Sequence, residues 1–315
     1  MNLKKPKFWD YKKPNILAYL LTPIAIFFQL KKLFKFKSKF KNPKIKTICV
    51  GNIYVGGTGK TSLCIKINEI LNKNKIKSCF VKKFYENQFD EQELLATRGK
   101  LFKSNKRYDS VNNAISENYE VAIFDDGLQD NSINYDLKIL CFNNINWIGN
   151  GLPMPAGPLR ENISNLKNYQ HVFLNGNDEN TENIKKYILN VNSNINIYIG
   201  KYRPLNLYEF DKNDKYLVFS GIGNHLTFLN MIKNYGLNVF KDLEFPDHYH
   251  YKDDDINDIL NLSETMGYKI ITTEKDYLRI KKINKSDKIN FIKSDLNIIN
   301  EEKFINLITK KNETN

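Results

Sequence analysis

An α/β fold is predicted by three features: apolar runs short enough to be strands, apolar repeats at helical spacing between them, and a glycine loop joining one such run to a helix. The loop lies within Thr47 to Asn72, TICVGNIYVGGTGKTSLCIKINEILN. Ile48, Cys49 and Val50 read as a buried strand, and Leu63, Ile67, Ile70 and Leu71 fall at i, i+4, i+7 and i+8 on one face of a helix. Between them Gly56, Gly57 and Gly59 let the backbone approach an anion and turn successive N–H groups and the helix N-terminus toward it. Lys60 adds a mobile charge and Thr61 a hydroxyl for Mg²⁺. A full Walker A pattern has glycine where Tyr54 stands, so the reading rests on the GKT end and its strand–loop–helix setting. These features predict a P-loop NTPase-like α/β fold.

The 315 residues suffice for two domains, or one large α/β domain, with a real core. The expected division is 1–46, a basic amphipathic membrane-associated segment; 47–200, the phosphate-loop domain; and 201–315, a second α/β domain. The net charge of +13 would suit nucleic acid if it were spread over a face, but 1–46 carries thirteen lysines against Asp10 alone. No nucleic-acid partner is therefore predicted. Within that segment Ile16 to Leu30 is apolar but falls short of the ~20 residues that span a bilayer. Flanked by Lys12, Lys13, Lys31, Lys32, Lys35, Lys37 and Lys39, with Phe8, Trp9, Phe34 and Phe36 interleaved, it suits a helix lying in an anionic membrane surface. A helix docked on the domain and an uncleaved signal-anchor are the alternatives. Cys49, Cys64, Cys79 and Cys141 have no paired-ligand spacing and read as small core residues.

Further along, Ser78 to Val81 is a second strand, followed by FDEQELLATRG. Asp90, with Glu93 three residues on, has capping-box spacing, so it reads either as a helix cap or as a carboxylate reaching a substrate hydroxyl from beyond a strand neighbouring the phosphate loop. Tyr119 to Asp126, YEVAIFDD, is an apolar strand ending in two carboxylates, the Walker B arrangement that brings Asp125 and Asp126 to Mg²⁺. The loop GNGLPMPAGPLRE ends in Arg160 and Glu161, where a guanidinium can meet phosphate or simply close a salt bridge. Lys215 to Ser220 opens a second strand–loop–helix unit that lacks the third glycine of a dinucleotide fingerprint. FPDHYHY follows, whose Asp247, His248 and His250 raise a metal site only to leave it without further ligands, and then a strand from Lys269 to Asp276.

Taken in order, FWDY, VGNIYVGGTGKTS, DEQELLA, FDDGLQ, GNGLPMPAGPLRE, FSGIGN, FPDHYHY and TTEKDYLRI resemble the tetraacyldisaccharide 4'-kinase family, the lipid A 4'-kinases of Gram-negative bacteria. The resemblance covers most of the chain from Phe8 to Ile280. It implies two α/β/α domains facing a cleft (a P-loop NTPase-like α/β/α sandwich with a second, smaller α/β domain), an N-terminal membrane-associated helix placing the protein peripherally on the cytoplasmic face of the inner membrane, and phosphorylation of a lipid disaccharide 4'-hydroxyl by ATP and Mg²⁺. No obligate protein partner is predicted. The resemblance further implies an ATP loop from Gly56 through Thr58 to Thr61, Mg²⁺ held by Thr61, Asp125, Asp126 and Glu161, and catalysis by Asp90, His248, Lys60 and Arg160. Two stretches depart from the family pattern. Lys82, Lys83, Phe84, Tyr85 and Glu86 stand where it has Ser-Arg-Gly-Tyr-Gly, with Lys83 retaining the charge, and Gln129, Asp130 and Asn131 stand where it has Gln-His-Arg. These departures bear on substrate fit and rate, so a catalytically weak member is one alternative. A membrane-associated partition-type ATPase is another, but its signature lysine would replace Val55, and a metallochaperone would need Cys or His ligands by the loop.

Overall fold

The computed structural model describes residues 5–33, 44–84, 89–130, 132–176, 180–281, 283 and 286–310. Two compact units emerge: 1–84, 99–200 and 298–315 in the first, 85–98 and 201–297 in the second.

In the first unit, helix α1 (Ile16–Leu33) precedes β1 (Lys46–Gly51), α2 (Lys60–Lys73) and β2 (Ser78–Lys83). The chain then lends α3 (Phe89–Arg98) to the second unit and returns as β3 (Leu101–Ser104), α4 (Arg107–Ser116), β4 (Val121–Asp125), β5 (Leu137–Asn143), β6 (His171–Asn175), α5 (Thr181–Val191) and β7 (Asn196–Pro204). The second unit adds β8 (Lys215–Ser220), α6 (His225–Asn234), β9 (Asn238–Glu244), α7 (Asp253–Met266), β10 (Lys269–Thr273), α8 (Glu274–Ile280) and β11 (Asn290–Ile292), after which β12 (Ser294–Ile299) leads to α9 (Glu301–Thr309).

The large sheet runs β12-β7-β6-β5-β1-β4-β2-β3, and β1 pairs in parallel with β4 on one side and β5 on the other. Such strands are buried on both faces, which accounts for their unbroken apolar character. One face packs Cys49, Cys79, Val81 and Phe124 against Val111 and Ala114 of α4; Leu140, Phe142, Val172 and Leu174 pack with Ile184 and Ile188 of α5. Leu63, Ile67, Ile70 and Leu71 of α2 are all buried, as their spacing predicts. All four cysteines are buried free thiols.

The smaller sheet, β11-β10-β8-β9, is parallel at each of its three pairings and is sandwiched between α6 on one face and α7 and α8 on the other. The strand expected from Lys269 to Asp276 stops at Thr273, because Thr273 caps α8 by accepting a hydrogen bond from the Asp276 N–H at 3.0 Å.

The units differ from the expected contiguous division at two helices. α3 joins the second unit because its acidic turns meet α8, where Lys275 binds Glu91 at 3.0 Å and Lys281 binds Glu93. α9 joins the first because Phe304 stacks edge-on with Phe173 and Tyr198, at 5.6 and 5.1 Å between ring centres.

α1 is apolar all round rather than amphipathic. Its small residues Ala18 and Ala25 are buried, while Ile16, Tyr19, Leu20 and Phe27 are more than half exposed. Gln29 donates to the Arg160 carbonyl at 3.2 Å. Just before it, the Trp9 indole donates to the Pro155 carbonyl at 3.1 Å, so the segment is docked on the proline-rich loop. No helix among the described residues is long and apolar enough to cross a membrane. Phe34, Lys35, Phe36, Lys37 and Lys39 lie outside the described residues, as do the side chains of Lys31 and Lys32.

Candidate active site

The phosphate loop follows β1 directly. Gly59 has φ 81°, a left-handed turn that places it as the N-cap of α2, and Gly56 has φ 131°; side chains resist both conformations. Tyr54 needs no such freedom, for it lies in an extended bridge opposite Leu159 and is almost wholly buried. Its hydroxyl donates to Asp10 at 3.2 Å, which ties the N-terminal segment to the loop. Two asparagines brace the loop from below: Asn52 donates to the Thr58 hydroxyl at 3.0 Å and Asn175, at the end of β6, to the Thr58 carbonyl at 2.7 Å.

Because β4 pairs beside β1, with Asp125 level with Val50, the acidic strand end reaches the loop. The Thr61 hydroxyl donates to Asp125 Oδ2 at 3.2 Å. Asp126 turns through a left-handed φ of 59° and faces Lys60 at 3.9 Å and Arg160 at 2.9 Å. Burial raises the Asp126 pKa, but Lys60 and Arg160 outweigh it and hold the carboxyl below its usual value.

Arg160 is brought there by backbone pairing: its N–H donates to the Ile53 carbonyl at 2.6 Å, and the Val55 N–H donates to the Pro158 carbonyl at 2.8 Å. The tight fold of that loop requires Gly157, where a Cβ would come within 2.1 Å of Asn150 Oδ1. Gln129 knits the region together, accepting from Arg160 at 3.1 Å and donating to Glu161 at 3.2 Å and the Asn52 carbonyl at 2.8 Å. Glu161 also accepts from Asn165 at 3.0 Å. Asp125, Asp126 and Glu161 thus have separate partners, and no group of three or more His, Cys, Asp or Glu among the described residues forms a metal cage.

That arrangement fits a nucleotide with Mg²⁺ better than a metal bound by protein alone. Asp125 Oδ1 is buried without a hydrogen-bond partner among the described residues, an open acceptor beside the Thr61 hydroxyl. Mg²⁺ in phosphoryl-transfer sites commonly takes one or two carboxylates and completes its shell with phosphate and water.

The two departures from the family pattern are structurally resolved in part. It is Lys82, rather than Lys83, that enters the loop region: it donates to Asp125 Oδ2 at 2.6 Å with both side chains buried. Strand alternation carried that signal, since Lys82 shares the face of Ser78, whose hydroxyl bonds Asn68 of α2. Asp130 does not present a bare negative charge, because Arg107 donates to it at 2.6 Å and to the Asp126 carbonyl at 2.7 Å. Tyr85, Glu86 and Asn131 lie outside the described residues.

In the second unit, Asp90 falls inside the first turn of α3 rather than at its cap, and Glu93 turns to Lys281. Nor does its preceding strand neighbour β1, since β4 intervenes. The Asp90 carboxylate meets His248 Nδ1 at 3.2 Å and Arg279 Nη2 at 2.6 Å. Arg279 also donates to Asp276 at 2.7 Å and to the Gly221 carbonyl at 2.6 Å. Gly221 accepts from the His248 N–H at 3.0 Å and donates its own N–H to Asp276 at 3.0 Å, so one peptide orients both partners of Asp90. Burial raises the Asp90 pKa, yet the His248 hydrogen bond and Arg279 drive it well below the carboxylate range. Conversely, burial lowers the His248 pKa, but Asp90, Asp247 and Glu91 raise it overall. A serine–histidine–aspartate set also occurs: Ser220 lies 2.7 Å from His225 Nδ1, and Asp242 lies 3.3 Å from His225 Nε2. Ser220 is completely buried, so this set ties β8, α6 and β9 together and offers no nucleophile.

A parallel sheet with this loop and an adjoining acidic strand defines a P-loop NTPase-like protein. The family model for tetraacyldisaccharide-1-P 4'-kinase matches residues 17–313, and the chain belongs to that family. The tetraacyldisaccharide 4'-kinase of Pelagibacter ubique (strain HTCC1062) is 59% identical over 315 residues, covering 100% of both chains. That of Rickettsia bellii (strain OSU 85-389) is 34% identical, covering 89% of this chain and 90% of the relative. A crystal structure of LpxK from Aquifex aeolicus in complex with ATP shares the fold, with a TM-score of 0.66 at 23% identity over 93% of this chain and 98% of that one.

Proposed function

We propose that this chain transfers the γ-phosphoryl group of ATP to the 4'-hydroxyl of a tetraacyl disaccharide 1-phosphate, a step of lipid A biosynthesis. The observation that carries the reading is the cationic and acidic array on the phosphate loop: Lys60 and Arg160 on Asp126, and Thr61 on Asp125. Backbone N–H groups of Gly56 to Lys60 and the start of α2 hold the phosphates, and Lys60 and Arg160 neutralise charge that develops on the transferred group. Thr61 and Asp125 would hold Mg²⁺, and Asp126 and Glu161 would add negative charge to its surroundings. The ion supplies charge neutralisation across the phosphates when bound.

Asp90 accepts the hydrogen bond of the acceptor hydroxyl, and His248 and Arg279 fix its orientation. A carboxylate with so low a pKa is a weak base. In a loose transition state the hydroxyl becomes acidic only as its bond to phosphorus forms, so Asp90 positions first and takes the proton late. The protein works peripherally on the cytoplasmic face of the inner membrane, where the exposed apolar residues of α1 enter the interface and the lysines of 1–46 meet anionic lipid.

Incubation with Mg-ATP and a tetraacyl disaccharide 1-phosphate should add one phosphoryl group, read by mass. Vesicle-stimulated ATP hydrolysis without that product would favour the partition-type ATPase instead. Lys-to-Gln changes at 31, 32, 35 and 37 should weaken sedimentation with anionic vesicles by ~1 kcal/mol per charge, and added salt should act in the same direction. Equal binding to neutral vesicles would count against the electrostatic part.

A further inference from the structure

Lys82 is absent from every role above, yet it is paired with Asp125, the carboxylate nearest Thr61 of the phosphate loop. Its ammonium lies 2.6 Å from Asp125 Oδ2, and the two side chains are 2% and 0% exposed. Thr61 donates to the same oxygen at 3.2 Å. The other oxygen, Oδ1, is buried and without a hydrogen-bond partner among the described residues. A buried carboxylate is tolerated only when its charge is matched, and Lys82 matches it from inside the protein.

The local balance has a direction. Lys60, Lys82 and Arg160 face Asp125 and Asp126, while Glu161 lies one hydrogen bond further out on Gln129. Such a site repels a free divalent cation and attracts a polyphosphate. Mg²⁺ gives up its water reluctantly, and a carboxylate already neutralised at contact distance is a poor inducement to do so.

We propose that Lys82 is a resident cation that reserves Asp125 until the nucleotide arrives, so that this chain admits divalent metal only together with phosphate. When phosphate oxygens enter the loop, they provide a second anionic partner for the Lys82 ammonium, and Asp125 becomes available as a ligand. Lys82 is thus a positioning residue for Asp125, and the inference rests on the reading of Asp125 as a metal carboxylate.

Binding of Mn²⁺, followed by the electron paramagnetic resonance signal of the free ion, tests it on the full chain. Wild type should take up Mn²⁺ with ADP present and bind it at least tenfold more weakly without. Lys82→Met should bind Mn²⁺ without nucleotide at least tenfold more tightly than wild type, and Lys82→Met combined with Asp125→Asn should lose that gain. Lys82→Arg, which keeps the cation, should behave as wild type. In parallel, Mg²⁺ alone should raise the Tm of Lys82→Met and leave that of wild type unchanged. Equal nucleotide-free affinity in wild type and Lys82→Met overturns the proposal. So does a wild type that binds Mn²⁺ as tightly without ADP as with it, a result that needs no variant to fold. Failure of wild type to bind Mn²⁺ even with ADP would instead strike the phosphate-site reading itself.

Discussion

The two carboxylate centres differ in how fully their oxygens are partnered. Asp90 in the second unit is saturated in charge, with His248 on one oxygen and Arg279 on the other, while each oxygen keeps a lone pair for a further donor. Asp125 in the first unit is half-satisfied: Lys82 and Thr61 share one oxygen and the other has no partner among the described residues. A saturated carboxylate is held still and ionised. A half-satisfied one is prepared for a ligand that brings its own charges. The first arrangement suits a group that positions a hydroxyl, and the second suits a group that meets metal and phosphate.

The largest expected break in this comparison comes from Lys60→Ala. Lys60 acts on phosphate charge, and removal of one such preorganised contact commonly costs ~10²–10³ in kcat. The fold should persist, because the ion pair of Lys60 among the described residues is a long one, to Asp126 at 3.9 Å. Phosphoryl transfer near the wild-type rate, with an unchanged melt, would sink the loop assignment.

The second test sharpens the contrast from the other side. Asp90→Ala and His248→Ala should each lower kcat by roughly 10²-fold with little change in KM for ATP. Since they act as one hydrogen-bonded unit, the double variant should be little worse than the poorer single one. Losses that multiply fully would show two independent roles.

The comparison also separates what the sequence made legible from what it did not. The phosphate site is written locally: Gly56 to Thr61 are consecutive, and Asp125 and Asp126 end one apolar strand. Alternation could have found Lys82, since a lysine on the helix-facing side of a buried strand must meet an anion. The Asp90 centre gathers residues 90, 221, 248 and the α8 pair 276 and 279 from four separate segments, and each has an ordinary local reading. Asp90 alone had a reading as a carboxylate for a substrate hydroxyl, but only family resemblance paired it with His248, and nothing in spacing indicated Arg279. Similarly, α3 and α9 change units through contacts with elements remote in sequence, α8 for the one and β6 and β7 for the other, which no contiguous division can express.

The smallest expected effect is the pH dependence of the saturated centre, and its sign follows from the pKa directions. Around His248 stand Asp90 at 3.2 Å and Glu91 and Asp247 at 3.9 Å, with Lys275 drawn off to Glu91 and Arg279 to Asp90 and Asp276. Burial lowers the His248 pKa, but the carboxylates raise it above its ordinary 6.5. Between the unfolded and folded values the native state holds more protons than the unfolded chain, so stability falls as pH rises there. The contribution of His248 is complete below its ordinary pKa and is lost as pH rises through the folded one. Asp90 behaves in the opposite sense: its contribution is complete above the ordinary carboxylate value of 3.8 and is lost only as pH falls through its depressed pKa. Both are therefore in place from mildly acidic pH to the region of the His248 titration. Denaturant melts of wild type and His248→Gln from about pH 5.5 to 9 should show a stability difference that shrinks with rising pH. A difference that grows with pH would mean that His248 is held neutral, and the ion pair on Asp90 would then belong to Arg279 alone.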